Sequence, residues 1–166
     1  YTEAVLWTLI EVDTMAAQAL KNFLDGNHVK YTIITHSPEY TAQEIAASAH
    51  IPGKDLAKTV IVKIDGDFAM AVLPASMHVS LTRLKEATGA GDAAIASETD
   101  FERLFPDCEL GAMPPFGNLY DMPVYAAKEL TEDTEIAFNA GTHSELVQLA
   151  YSDFDKLVHP KVVTLN

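Results

Sequence analysis

Cysteine is almost absent from this 166-residue sequence. The single thiol, Cys108, excludes an intramolecular disulfide and any multi-cysteine zinc or iron–sulfur site. It suits a reducing compartment, and a cytoplasmic protein is expected. Basic residues are scarce as well: 11 Lys and Arg stand against 24 Asp and Glu, a formal net charge of -13. Charge of that sign argues against a protein that coats DNA or an anionic membrane. No apolar run approaches the ~20 residues that span a bilayer. There is no Walker-type loop, no GxGxxG and no GxSxG, so NTPase, dinucleotide and α/β-hydrolase readings lack support. No histidine pair has the spacing of a helical metal site, and neither a metal nor a cofactor is expected.

What the chain does have is apolar mass. Hydrophobic residues make up 48% of it, and a chain of this length buries roughly 70% of its unfolded surface. Repeats and low-complexity linkers are missing, which leaves one domain over residues 15–166 behind an extension at 1–14. The segment Tyr1–Val12 (YTEAVLWTLIEV) is interrupted by Glu3 and Glu11, and it lacks the basic start and cleavage site of a signal peptide. A natural start at Met15 and excision from a longer chain are both compatible with it. The same segment, with Trp7, is free to pack on the domain or in a dimer interface, so the oligomeric state stays open. Charge is uneven along the chain. Residues 1–85 carry 7 basic and 9 acidic side chains, residues 86–166 carry 4 and 15. An anionic ligand would meet the first half, where Lys54, Lys58, Lys63, Arg83 and Lys85 cluster.

Local patterns set the elements. Met15 to Asp25 has helical spacing of Ala16, Ala19, Leu20, Phe23 and Leu24, with Gly26 as a left-handed cap. Val29 to Thr35 reads as a strand broken by His36-Ser37-Pro38. Thr41-Ala-Gln-Glu44 is a capping box for a helix to about Ala49. Lys58–Ile64 and Asp67–Leu73 around Asp65-Gly66 predict a hairpin with a two-residue turn. A helix is expected over Leu81–Thr88, a short strand over Ala93–Ala96, and a helix capped by Ser97 through Phe105. Strands follow at Val124–Ala127, Glu135–Asn139 and Leu146–Ala150, and Ser152 is the expected cap of a last helix. Short turns between strands exclude long parallel crossovers. The expected class is α+β: a curled, mixed, mostly antiparallel and barrel-like sheet surrounded by short helices.

Three features fit a purely structural reading poorly. Lys58 shares a strand face with Val60, Val62 and Ile64, so it ends an apolar stripe and points toward a core or pocket; a lysine at the strand edge that snorkels to water is the plain alternative. Gly111-Ala-Met-Pro-Pro-Phe-Gly117 combines glycines that allow close backbone approach with prolines that stiffen the path. Gly141-Thr142-His143 is a glycine turn that can place a histidine and backbone amides in a cleft. Each of these two segments alone also fits a plain surface connector. Cys108, without a basic neighbour, reads as a structural thiol.

Taken in order, the His-Ser-Pro turn, Leu56-Ala57-Lys58-Thr59-Val60, CELGAMPPFG and NAGTHSELVQL resemble the YbaK/EbsC family, which includes the editing insertion of bacterial prolyl-tRNA synthetases. The resemblance runs from about Met15 to about His159. It implies an aminoacyl-tRNA deacylase that hydrolyses the ester of a wrong amino acid. It implies that Lys58 is the lysine on which activity depends, that Gly111 and Pro114 belong to the loop that lines the aminoacyl pocket, and that Gly141 and His143, with Thr142 between them, form the turn beside the ester. Lys58 and His143 are the expected catalytic pair, with loop amides holding the carbonyl and no covalent intermediate. A pocket walled by Met113, Pro114, Pro115 and Phe116 suits a small residue such as Ala, Ser or Cys, on tRNA-Pro by the same resemblance. The expected partner is the acceptor end of a mischarged tRNA, delivered by a synthetase or elongation factor if the acidic body does not bind it unaided. The alternative is a regulatory module that binds a nucleotide or small ligand without turnover.

Overall fold

A computed structural model describes residues 18–37 and 41–166. The expected extension at 1–14 and the start of the first helix lie outside those residues. The described part of that helix, α1, covers 18–26. Leu20 and Leu24, one turn apart, are fully buried. The left-handed residue that ends α1 is His28 (φ 58°), not Gly26. His50 follows α2 (Ala42–Ser48) with φ 56°, and His159 caps α5 (Tyr151–Val158) with φ 53°. Three of the six histidines therefore terminate helices, a conformation histidine tolerates better than most side chains.

The capping box forms as expected: the Glu44 amide donates to Thr41 Oγ1, and the Thr41 amide to Glu44 Oε1. The hairpin is also present, with β2 (Ala57–Ile64) antiparallel to β3 (Asp67–Pro74). Asp65 (φ 50°) and Gly66 (φ 89°) both take positive φ, the two-residue turn that matches strand twist. Helix α3 (Leu81–Thr88) starts on Ser80 and stops at Gly89 (φ 70°). Strand β4 is Ala93–Ile95. The helix capped by Ser97, α4, ends at Phe101 and continues as a 3-10 turn over Glu102–Leu104.

Strands β5 (Val124–Ala127), β6 (Glu135–Asn139) and β7 (Glu145–Ala150) lie where the sequence places them. Helix α5 begins one residue before Ser152, because β7 runs straight into it. Ala150 occupies the cap without a side-chain bond, and the Tyr151 amide donates to Thr134 O instead. Strand β8 (Lys161–Val163) was not expected; three residues carry no periodicity, and it exists through pairing with β5.

The strands form two sheets, ordered β1-β7-β6 and β4-β2-β3-β5-β8, where β1 is Tyr31–Thr35. Among the described strands only β3–β5 and β5–β8 pair in parallel. One parallel bridge, Leu56 to Ala137, joins the sheets. The class is α+β as expected; the sheets meet at that bridge, and no closed barrel forms among the described residues. No described helix is long and apolar enough to cross a membrane.

Candidate active site

Alternation along the strands decides which side chains share the junction between the sheets. Ile34, Leu56, Ala137 and Leu146 form one apolar cluster with Ile45 and Ile51 from α2 and the turn after it. They fix one face. Asn139 is opposite Leu146 and two residues beyond Ala137, so it lies on that face. Lys58 lies there too, two residues beyond Leu56. Ser144 precedes Leu146 by two, and His36 follows Ile34 by two; the His36 amide continues the ladder by donating to Ser144 O at 2.9 Å. With strand order β1-β7-β6 and β2 bridged to β6, Asn139 is thus next to Lys58 and His36 next to Ser144, with β6 and β7 between Lys58 and His36.

Lys58 is half-buried and makes no ion pair with any described residue. Burial pushes its ammonium below the ordinary lysine range. Of its neighbours in the basic cluster, Lys85 is exposed and the other three are paired. Lys63 meets Asp100 at 3.2 Å and covers the Phe68 ring, Lys54 lies 3.8 Å from Asp133, and Arg83 pairs with Glu86 at 3.6 Å. Lys58 therefore combines partial desolvation with a missing counter-ion.

The Gly111 loop and the Gly141 turn are fastened together. The Glu109 amide donates to Gly141 O at 2.8 Å, and the Gly141 amide to Ala112 O at 2.9 Å. His143 Nε2 bonds Leu110 O at 2.7 Å. A carbonyl only accepts, so Nε2 carries the hydrogen and, in the neutral ring, Nδ1 is left as the acceptor. Gly111 and Gly141 take φ of +85° and +96°, which favours glycine at both. A Cβ at Gly111 would sit 3.5 Å from His143 Cε1. The Gly141 amide is already used, whereas the amides of Gly111, Met113, Thr142 and His143 donate to no partner among the described residues. Thr142 is buried, with its hydroxyl 3.4 Å from that of Ser144.

The Gly111 loop also meets β2. Gly111 and Met113 face Thr59, Val60 and Ile61 across a cleft of about 180 Å³. Lys58, just before that cleft, makes no hydrogen bond to either loop. Pro114 is buried. Phe116 was expected in a pocket wall, but it is fully buried and stacks among Phe23, Phe138 and Phe154 at 6.0, 5.5 and 5.7 Å. Its ring anchors the loop in the core, and Met113 is the member of that stretch that lines a cleft. A larger cleft, about 570 Å³, opens beside α2 between Thr41, Ala46, Lys54, Leu56 and Ala75. Asn139 carried no sequence signal strong enough to name it as a site residue; only the bridge from Leu56 to Ala137 and the strand register show it beside Lys58.

Two further features frame the site. Lys21 of α1 bonds Glu145 at 2.7 Å, and both are largely buried, so β7 is tied down next to the His143 turn. Asp55 and Asp133 are buried together at the starts of β2 and β6. Desolvation, and then the neighbouring Asp55, push the Asp133 carboxyl up to about 6. Cys108 Sγ lies 3.3 Å from Tyr120 Oη, and burial raises the thiol, the opposite of nucleophile activation.

The aminoacyl-tRNA editing domain family matches residues 36–157. A relative from Escherichia coli strain K12, named multifunctional Ser/Thr-tRNA deacylase ProXp-y, is 29% identical over 157 residues, covering 90% of this chain and 92% of its own. Prolyl-tRNA editing protein ProX from Acetoanaerobium sticklandii is 27% identical, with coverage of 89% and 93%. A solved structure provisionally described as a trans-editing enzyme for prolyl tRNA synthetase superposes with a TM-score of 0.79 at 17% identity, covering 91% of this chain and 96% of that one, a likeness of fold. With the match spanning most of its length, from His36 in the first strand's exit to Leu157 in the last helix, this chain belongs to the aminoacyl-tRNA editing domain family.

Proposed function

We propose that this protein hydrolyses the ester of a mischarged aminoacyl-tRNA in trans, releasing a small amino acid, with Lys58 as the central catalytic group. The observation that carries this reading is the state of Lys58: half-buried, without a counter-ion among the described residues, and next to Asn139.

The chemistry follows from the residue types. Water attacks the ester carbonyl carbon, the carbonyl oxygen becomes an oxyanion, and the ribose oxygen leaves with a proton. A desolvated ammonium attracts such an anion more strongly than a hydrated one. With its pKa lowered, Lys58 also gives up a proton more readily to the departing oxygen. The unpartnered amides of Gly111, Thr142 and His143 are further donors for the oxyanion. His143 holds the Gly111 loop through Nε2 and offers Nδ1 as an acceptor for the attacking water. No serine or cysteine is paired with a base in the site, so the reaction proceeds without an acyl-enzyme.

Met113 and Gly111 bound the place for the amino-acid side chain, and a cleft of about 180 Å³ fits a small one such as Ala, Ser or Cys. The cleft beside α2 falls within the ~300–1,000 Å³ of small-ligand sites, and it has room for the terminal nucleoside. The acidic body keeps the contact to the acceptor end, and delivery by a synthetase or elongation factor supplies the remaining affinity. The test is hydrolysis of Ala-, Ser- and Cys-charged tRNA-Pro, with Pro-tRNA-Pro as control. Release of at least one wrong amino acid with the cognate ester spared is the expected result. No hydrolysis of any of them would contradict the reading.

A further inference from the structure

Asn139 is the side chain that β6 sets beside Lys58. Among the described residues, β2 and β6 pair only through Leu56 and Ala137, and they run parallel there. Two residues further along each strand, Lys58 and Asn139 are neighbours on one face. Beyond that point the strands part. Residues 62–64 of β2 pair with β4, while β6 stays with β7. Gly111 and Met113 meet Thr59, Val60 and Ile61 in the opening. The Gly141 turn begins two residues after Asn139. Lys58 and Asn139 are thus the two sides of a fork that the site's loops close.

Asn139 is half-buried, and its carboxamide bonds to no described residue. An aspartate would fill the same space with a charge. The chain has 24 acidic residues against 11 basic ones, yet the carboxylates of the elements around Lys58 are placed elsewhere. Asp67 is at the far end of β3, opposite Ile64, and the β3 residue opposite Lys58 is Leu73. Glu135 is at the far end of β6, opposite Ala150. Asp55, in the turn before β2, is beside Asp133, which also faces Lys54. Glu145 of β7 is bonded to Lys21. Glu98 and Glu109 are exposed, Glu98 on the Ile95 side of the smaller cleft. His143 is bonded to Leu110 O. Burial is what lowers the Lys58 ammonium, and no neighbouring charge offsets it.

We propose that Asn139 is a positioning residue for the hydrolysis: a neutral carboxamide where a carboxylate would pair with Lys58, it leaves the ammonium free for the ester oxyanion. The inference rests on the deacylase reading above and adds a residue to the same site. A carboxylate beside an ammonium favours its charged form and holds its proton. The oxyanion would then meet a charge already compensated, and the departing ribose oxygen a weaker acid. Asparagine keeps the shape and an acceptor oxygen without that charge.

The experiment compares wild type, Asn139→Asp and Asn139→Ala in two ways. One is NMR titration of the Lys58 side chain, whose signal is identified by its loss in Lys58→Ala. The other is the single-turnover rate on the mischarged tRNA that wild type hydrolyses fastest. Asn139→Asp should move the Lys58 titration midpoint up by roughly 1–3 pH units, the effect of an opposite charge within ~4–6 Å. Its rate near neutral pH should fall roughly tenfold or more. Asn139→Ala removes the amide without adding charge; it should show no upward shift and lose less rate than Asn139→Asp. An unmoved midpoint in Asn139→Asp would overturn the inference. So would a raised midpoint with an unchanged rate, or an Asn139→Ala protein slower than Asn139→Asp. Each of these leaves the deacylase reading standing. A wild type inactive on every mischarged tRNA would overturn both, whatever the midpoint does.

Discussion

The imidazole Nε2 of His143 lies 2.7 Å from the carbonyl oxygen of Leu110, so the histidine of one loop is bonded to the backbone of the other. With the paired backbone bonds between Glu109, Ala112 and Gly141, this makes the Gly-Pro loop and the Gly-Thr-His turn a single unit. The expected catalytic histidine is therefore first a positioning group. Its remaining nitrogen is what can face the ester.

His143→Ala should lower the deacylation rate by roughly 10–100-fold, the effect of losing one positioned group in acid–base or donor catalysis. Hydrogen exchange at Leu110–Met113 should speed up in the same variant. His143→Gln, which keeps an amide donor for Leu110 O, should restore slow exchange while recovering only part of the rate. Unchanged exchange in His143→Ala would contradict the latch.

Phe116 separates a core role from a pocket role. Its ring is fully buried among three aromatic neighbours, so Phe116→Ala should destabilise the protein by about 3–5 kcal/mol. Met113→Ala should change substrate preference instead, because Met113 borders the cleft. Denaturant titration checks the first and the panel of charged tRNAs the second. A Phe116→Ala protein of ordinary stability with altered specificity would reverse the assignment.

Asp133 gives the fold a pH dependence of definite sign. Its carboxyl is raised to about 6 by burial and by Asp55. A raised folded-state pKa means that the protonated form is favoured in the native protein. The contribution is therefore fully present below the ordinary carboxylate pKa and is lost as pH rises through 6. From this group alone, stability falls between about pH 4 and 7 by up to roughly 3 kcal/mol. Asp133→Asn removes the titration and should flatten that part of the profile, raising stability at pH 7. Equal pH profiles for the two proteins, measured by thermal unfolding, would contradict it.

Much of the fold was legible in the chain because its strongest signals are local. The Asp65-Gly66 turn, the Thr41–Glu44 capping box and the Ser97 cap each act over four residues or fewer, and each formed where expected. Lys58 was also legible on the face of Val60, Val62 and Ile64, through simple alternation. What stayed hidden depends on residues far apart in sequence. Strand β8 exists only because β5 accepts it. The bridge from Leu56 to Ala137 sets Asn139 beside Lys58, and no pattern in either segment announces it. Phe116 looked like a pocket wall because its loop is rich in Gly and Pro; its burial depends on Phe23, Phe138 and Phe154, from three different elements. Among the histidines only His143 stood out as a catalytic candidate in sequence, yet three others end helices and His36 keeps a buried nitrogen unpaired.

Lys58 carries the account, and one measurement tests it most directly: the single-turnover rate of Lys58→Ala on the mischarged tRNA that wild type hydrolyses fastest, taken beside thermal unfolding of both proteins. The residue is half-buried with no counter-ion among the described residues, so its loss should leave the unfolding midpoint equal or higher. The rate should fall roughly a hundredfold or more, about 3 kcal/mol of transition-state stabilisation. A folded Lys58→Ala protein that releases the amino acid at close to the wild-type rate would contradict the central claim.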